Sequence, residues 1–344
     1  LREGKSKGKG QALVIHNKYS KILMQNLAFD LTENQKQVIS EIEQDQKSQH
    51  QMIRLLQGDV GSGKTVVGLF AILNAIENLR QAALMAPTEV LAEQHFAWIT
   101  KVLYGLDIKV DLLTGKTKIK ERRRILSDLE SGNSNLLIGT HALFQDKVIF
   151  KDLGLVVIDE QQRFGVLQRM KLIEKGSKND VLLMTATPIP RTLEHALYGD
   201  MDCSKLTEKP KSRLPIITTL MSVKNIDKVI DRINQSNEKI YWICPYIQES
   251  EEAEVAAAEA RLTYLKKKLS NKNVGIVHGK LRTEMRDNAM LAFRSGDINI
   301  LVATTVIEVG IDVKDATIIV IENAENFGLS QLHQLRGRVG RGDR

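Results

Sequence analysis

The chain has little of what marks several protein classes. Its 344 residues include two cysteines, Cys203 and Cys244, far apart and with no Cys/His cluster around either. That argues against a zinc site and a disulfide framework and fits a reducing, cytoplasmic compartment. No apolar run approaches the roughly 18 residues of a membrane-spanning helix, and no secretory leader pattern is present, so no membrane partner is expected. Aromatic residues are only 5% of the chain, too few for an extended row of stacked bases. A nucleic-acid partner is expected to be tracked along its backbone instead. Short-period repeats and low-complexity tracts are missing as well. What is present is a soluble composition, 42% hydrophobic and 26% charged, with a net charge of +7 that tilts the partner toward a polyanion. The length predicts two domains. Because the chain opens at Leu1 rather than Met and stops just after an arginine-rich run, it is expected to be a piece of something longer.

The stretch around which the rest is organised is Gly58-Asp59-Val60-Gly61-Ser62-Gly63-Lys64-Thr65. It fits G-x-x-x-x-G-K-[ST], follows a strand-like run at 52–56 and leads into a helical pattern. In such a loop the backbone N–H groups surround a phosphate at a helix N-terminus. Lys64 opposes the negative charge, and the Thr65 hydroxyl can ligate Mg²⁺. Gly58, Gly61 and Gly63 are required because a Cβ would block the close approach and the positive φ angles, and Ser62 completes the cradle. A nucleotide with Mg²⁺ is the expected ligand.

Residues 1–26 read as a basic linker or tail: 1–21 carry Arg2, Lys5, Lys7, Lys9, Lys18 and Lys21 against Glu3 and are expected to be solvated, with a DNA-binding arm as the alternative. From 27 to 206 strand and helix patterns alternate. Short apolar runs at 82–85, 108–112, 135–138, 155–158 and 181–184 are of the kind parallel sheets bury on both faces. Helices are predicted at 88–103 and 117–129, the latter with a basic face. Residues 207–215 break the pattern with two prolines and four charges and read as an interdomain linker. A second series fills 216–344, with strands predicted at 216–220, 239–243, 274–277, 298–302 and 317–321 and helices at 225–234, 251–269 and 283–293. Repeated βα units imply α/β domains built on doubly wound parallel sheets, with ligands at the carboxyl ends of the strands. The second series has no phosphate loop.

Asp159-Glu160 directly follows the apolar run at 155–158. Opposite a phosphate loop, an acid at a strand end holds Mg²⁺ and a neighbouring Glu polarises the attacking water, which assigns Asp159 to metal and Glu160 to the general base. Arg338 and Arg341, in Gln334-Leu335-Arg336-Gly337-Arg338-Val339-Gly340-Arg341, are read as fingers that reach the γ-phosphate when the domains close. Exposed surface charge is the plainer alternative.

The order of motifs resembles that of superfamily 2 helicases and translocases. It adds Pro87-Thr88-Glu89, Gly139-Thr140-His141-Ala142-Leu143, Asp159-Glu160-Gln161-Gln162, Thr185-Ala186-Thr187-Pro188 and the run from Ala303-Thr304 to Gly310-Ile311-Asp312. Within that group the chain is similar to the bacterial RecG helicases, in Leu27-Ala28-Phe29-Asp30-Leu31-Thr32-Glu33-Asn34-Gln35, Arg163-Phe164-Gly165-Val166 and Glu322-Asn323-Ala324-Glu325-Asn326-Phe327-Gly328. The resemblance implies two tandem RecA-like domains with a nucleotide cleft between them, ATP and Mg²⁺ as cofactors, and a monomer that remodels branched DNA during recombination and repair. It implies adenine recognition by Phe29 and Gln35, against the alternative of a core Phe and a surface Gln. Thr88, Thr140 and Thr304 resemble residues that contact the DNA backbone, against the alternative of helix caps and strand-end hydrogen bonds. His141 is expected to be structural or DNA-facing rather than a metal ligand. Thr185 and Thr187 resemble nucleotide sensors, while Glu308, Gly310 and Asp312 resemble the motif joining the second domain to nucleotide and DNA. Three departures stand out: Gln162 replaces a family His and cannot titrate near neutral pH, no N-terminal wedge domain is present, and the family's C-terminal translocation element is missing. The rival readings are a transcription–repair coupling translocase and a nucleotide- and DNA-binding fragment that does not unwind.

Overall fold

Runs such as Leu155-Val156-Val157-Ile158 have no polar face, so strands made from them must be covered on both sides. The structure, a computed structural model, describes residues 10–160, 179–186, 201–208, 216–244, 251–304, 313 and 315–340. In it the chain divides into two units, Leu1–Glu208 and Lys209–Arg344.

The first unit runs α1 (Lys18–Asn26), α2 (Glu33–Gln46), β1 (Ile53–Gly58), α3 (Lys64–Glu77), β2 (Gln81–Met85), α4 (Glu89–Val102), β3 (Val110–Leu113), α5 (Ile119–Ser131), β4 (Leu136–Gly139), β5 (Leu153–Ile158), β6 (Asp180–Thr185) and β7 (Asp202–Leu206). The seven strands form one parallel sheet in the order β3-β4-β2-β5-β6-β1-β7. Alternate residues feed two cores. Leu56, Leu84, Ile138, Val157 and Met184 pack with side chains of α1 to α4. Leu55, Met85, Leu137, Val156 and Leu183 pack with Ile125 and Leu129 of α5 on the opposite face. The phosphate-loop helix α3 is buried along nearly its whole length. Even Asn74 lies inside, donating to Gln46 Oε1 at 2.9 Å, while Gln46 Nε2 donates to the Ala71 carbonyl at 3.1 Å. A helix covered in this way holds the loop at its N-terminus rigidly.

Three expectations need correction. Residues 10–26 are not a solvated tail. Leu13 and Leu23 are core residues, the Leu13 N–H donates to Gln46 O at 2.7 Å, and Asn26 Nδ2 donates to the carbonyls of Val102 and Tyr104 at 2.9 and 3.0 Å. A lysine-rich composition hid a helix that buries only Ser20 and Leu23. Residues 216–220 form no strand, and Ile217 and Leu220 are 90% and 92% exposed. Conversely, β7 was not expected. As an edge strand beside β1 it buries only Ser204 and Leu206, so it has no apolar run to betray it. Buried Arg54 of β1 anchors it, donating to Ser204 Oγ at 2.6 Å and to Asp45 of α2 at 2.7 Å.

Asp180 opens β6 at the amino ends of the strands and accepts a hydrogen bond from the Met52 N–H at 2.9 Å. Burial pushes its carboxyl up to about 7, against the lowering effects of that bond and of Arg80. The unfolded carboxyl titrates near 4, so folding takes up a proton between about pH 4 and 7. The resulting penalty is absent below the unfolded value, grows as pH rises through that window and is complete above it, with a ceiling of about 4 kcal/mol. Asp180→Asn keeps an acceptor for Met52 and cannot ionise. Its melting temperature is expected to exceed the parent's by clearly more at pH 8 than at pH 5. A difference that does not change with pH would refute the assignment.

The second unit runs α6 (Ile226–Gln235), β8 (Lys239–Ile243), α7 (Glu251–Lys268), β9 (Val274–Val277), α8 (Thr283–Ser295), β10 (Ile300–Ala303), β11 (Ala316–Ile321) and α9 (Leu329–Arg336). Its four strands are parallel, in the order β11-β8-β10-β9. Tyr241, Leu301 and Val277 face a core with Phe293 and Leu335. Trp242, Ile300 and Val274 face another with Ile230 and Leu265. Among the described residues no helix is long and apolar enough to cross a membrane.

Candidate nucleotide site

The loop after β1 turns sharply because Gly61 and Gly63 take φ of +80° and +87°, conformations that cost any residue with a Cβ. Gly63 also faces Gln35, and a Cβ there would lie 2.2 Å from the Gln35 amide nitrogen. Lys64 opens α3 and turns its ammonium back over the loop, donating to the carbonyls of Gly58 at 2.7 Å and Asp59 at 3.0 Å. An α-helix leaves its first N–H groups without intrahelical acceptors, and here α3 directs them at the loop. Thr65, the second residue of α3, is half-buried.

Gln35 is buried rather than on the surface. It is the third residue of α2, where its Oε1 accepts from the Thr32 N–H at 2.9 Å while Thr32 Oγ1 accepts from the Gln35 N–H at 3.2 Å. Its Nε2 then donates to the Ser62 carbonyl at 2.9 Å. One side chain therefore caps a helix and braces the phosphate loop. Phe29 is not a core residue either, being 49% exposed on the segment before α2.

Asp159 and Glu160 follow β5, at the same carboxyl edge of the sheet as the loop after β1. Asp159 is buried. Its Oδ1 accepts from the Glu160 N–H at 2.9 Å and its Oδ2 meets His95 Nε2 at 2.9 Å. Burial alone would raise its pKa, but the His95 hydrogen bond and charge, helped by Lys64, outweigh it and hold the carboxyl below its ordinary value. Glu160 takes a φ of +46°, a strained conformation for a residue with a side chain. Its Oε2 accepts from the Ala186 N–H at 3.4 Å, beside Thr185 at the end of β6. The structure thus brings together Lys64, Asp159, Glu160 and Thr185 at the carboxyl ends of β1, β5 and β6, which are neighbours in the sheet.

These residues fit Mg²⁺ bound to a phosphate chain. Asp159 is a buried carboxylate held below its ordinary pKa, Thr65 supplies a hydroxyl, and Gly61 and Gly63 put no side chain in the turn of the loop. Mg²⁺ takes one or two protein ligands and keeps its other positions for phosphate oxygens and water.

The backbone-contacting candidates separate. Thr88 caps α4, its Oγ1 accepting from the Leu91 N–H at 3.3 Å. Thr140 and Thr304 are buried, and the Thr304 N–H donates to Val277 O at 3.3 Å. Capping and strand-end bonding are thus what Thr88 and Thr304 do in this structure. His141 is exposed, and among the described residues no cluster of three His, Cys, Asp or Glu could hold a metal. On the basic face of α5, Arg124 is taken up by Asp111, Glu121 and Asp128. Arg338 is half-buried just after α9, in the second unit. Gln162, Thr187, Glu308, Gly310, Asp312 and Arg341 lie outside the described residues.

His95 escaped sequence reasoning. It is one of seven histidines, with no motif around it, and only its position on α4 brings it to Asp159, 64 residues further on.

The DEAD/DEAH box helicase model matches residues 32–196, and the helicase conserved C-terminal domain model matches residues 215–343. The ATP-dependent DNA helicase RecG of Synechocystis sp. is 52% identical over 320 residues, covering 92% of this chain and 38% of that protein. The Escherichia coli K12 protein of the same name is 45% identical over 350 residues, covering 99% of this chain and 50% of its own length. Along nearly its whole length the chain is similar to these RecG helicases. A solved RecG structure bound to a three-way DNA junction superposes with a TM-score of 0.81 at 43% identity, covering 97% of this chain and 44% of that one. The two parallel-sheet units therefore each match a RecA-like helicase domain of that structure. The chain spans half or less of the length of these RecG relatives.

Proposed function

We propose that the chain is the motor core of an ATP-dependent DNA translocase that remodels branched DNA, such as stalled forks and Holliday junctions, in recombination and repair. The observation that carries this reading is the joint placement of Lys64, Asp159 and Glu160 around a phosphate loop in a chain similar to the RecG helicases. ATP is held with its phosphates on the loop from Gly58 to Thr65, and Phe29 stacks on the adenine beside Gln35. Thr65 and Asp159 would hold Mg²⁺, which would supply positive charge against the phosphates, and Glu160 orients the attacking water and accepts its proton. Arg338 and Arg341 supply positive charge to the transition state from the second domain, with Thr185 and Thr187 sensing nucleotide occupancy and Glu308, Gly310 and Asp312 joining the second domain to nucleotide and DNA. Gln162 keeps a hydrogen-bonding side chain where relatives titrate. DNA runs along Thr88, Thr140, His141 and Thr304, which contact its backbone without reading sequence. The chain works as a monomer in the cytoplasm.

The deciding experiment is ATP turnover with and without a three-way DNA junction. Junction DNA is expected to raise the rate severalfold. If ATP binds and DNA leaves turnover unchanged, the coupling to DNA is refuted. Junction affinity should also fall steeply with salt, by about 100-fold or more between 50 and 200 mM, as released counterions are lost from the balance. A salt-independent complex would rule out backbone contact as the source of affinity.

A further inference from the structure

The imidazole of His95 is almost wholly buried, has no place in the roles above and is hydrogen-bonded to Asp159 Oδ2 at 2.9 Å. A carboxylate that serves a cation is acceptor-only, so Asp159 accepts and His95 Nε2–H donates. The other oxygen, Oδ1, is held by the Glu160 N–H at 2.9 Å, and the Asp159 N–H is bonded to Met85 O at 2.8 Å. With both oxygens held from outside, the carboxylate has one orientation, and the lone pairs it still presents point in a defined direction. Such an outer partner is expected wherever a ligand must meet a metal without first reorganising. His95 is itself fixed. It stands midway along α4, whose Ala92, Ile99 and Val102 are packed into the first core and whose N-terminus is capped by Thr88.

We infer that His95 is a positioning residue for the metal-binding carboxylate, setting the Asp159 carboxylate for Mg²⁺ without touching nucleotide or metal itself. The inference rests on the nucleotide-site reading above and names a residue that the reading does not use. Removing the donor should let the carboxylate turn, weakening Mg²⁺ while leaving metal-free nucleotide affinity alone.

The test compares His95→Gln with His95→Asn. Gln places its amide nitrogen as many bonds from the backbone as Nε2 and keeps the reach to Asp159. Asn is also polar but one carbon shorter and loses that reach. Binding of a fluorescent, non-hydrolysable ATP analogue is titrated against Mg²⁺, and separately in EDTA. For Asn the Mg²⁺ midpoint is expected to rise about tenfold, in the range that outer-partner losses produce. Gln should stay close to the parent chain, and EDTA affinities should be the same for all three. Gln and Asn variants that match each other, whether both intact or both impaired, would overturn the proposal. A parent chain without Mg²⁺-dependent binding would instead overturn the nucleotide-site reading.

Discussion

Lys64→Ala should reduce ATP turnover by roughly 100- to 1,000-fold, the loss that follows removal of one group poised at developing negative charge. Two physical effects add. The ammonium is the buried positive charge of the loop, and no other side chain of the segment from Gly58 to Thr65 replaces it. It also ties the loop together by donating to Gly58 O and Asp59 O, so without it those carbonyls point into the space meant for phosphate. Lys64 further helps to keep Asp159 ionised, so its loss weakens the metal side as well. The check is turnover at saturating ATP together with equilibrium nucleotide binding. Wild-type hydrolysis in a folded Lys64→Ala protein would remove the phosphate-loop role altogether.

Glu160→Gln should separate chemistry from binding. Gln has the same size and can still accept the Ala186 N–H bond that Glu160 Oε2 accepts at 3.4 Å, but it cannot take a proton from water. Turnover is expected to fall by about 100-fold or more, the usual contribution of a positioned general base, with nucleotide affinity unchanged. The strained φ of +46° at this position is the same for both residues and cancels in the comparison. Single-turnover hydrolysis and analogue binding, measured side by side, read the two effects separately. A parallel loss of both would make Glu160 a structural residue instead of a catalytic one.

The segment from Gly58 to Thr65 and the pair Asp159-Glu160 could be read without coordinates because their chemistry is local. A glycine pattern between a strand and a helix dictates its own turn, and an acid directly after a buried strand sits at the sheet's carboxyl edge whatever the rest of the fold. The same holds for the apolar runs that became β2, β4, β5 and β6, each short enough to be a strand and too apolar to have a wet face. Local pattern failed where burial was one-sided or borrowed from elsewhere. The strand β7 exposes Cys203 and Lys205 along a sheet edge, and α1 offers the core little beyond Leu23. Residues 216–220 looked like a strand and pair with no strand among the described residues.

By itself, then, the sequence determined that this is a nucleotide-binding α/β chain, since backbone conformation and periodicity carry that information residue by residue, while the helicase type rested on the resemblance of its motifs. Only the tertiary structure decided who holds whom. Gln35 braces the Ser62 carbonyl across 27 residues, and His95 holds Asp159 across 64. In a parallel sheet with crossover helices, neighbours in space are distant in the chain, so the partner of a buried polar group is set by how the helices pack and by no feature of its own surroundings in sequence.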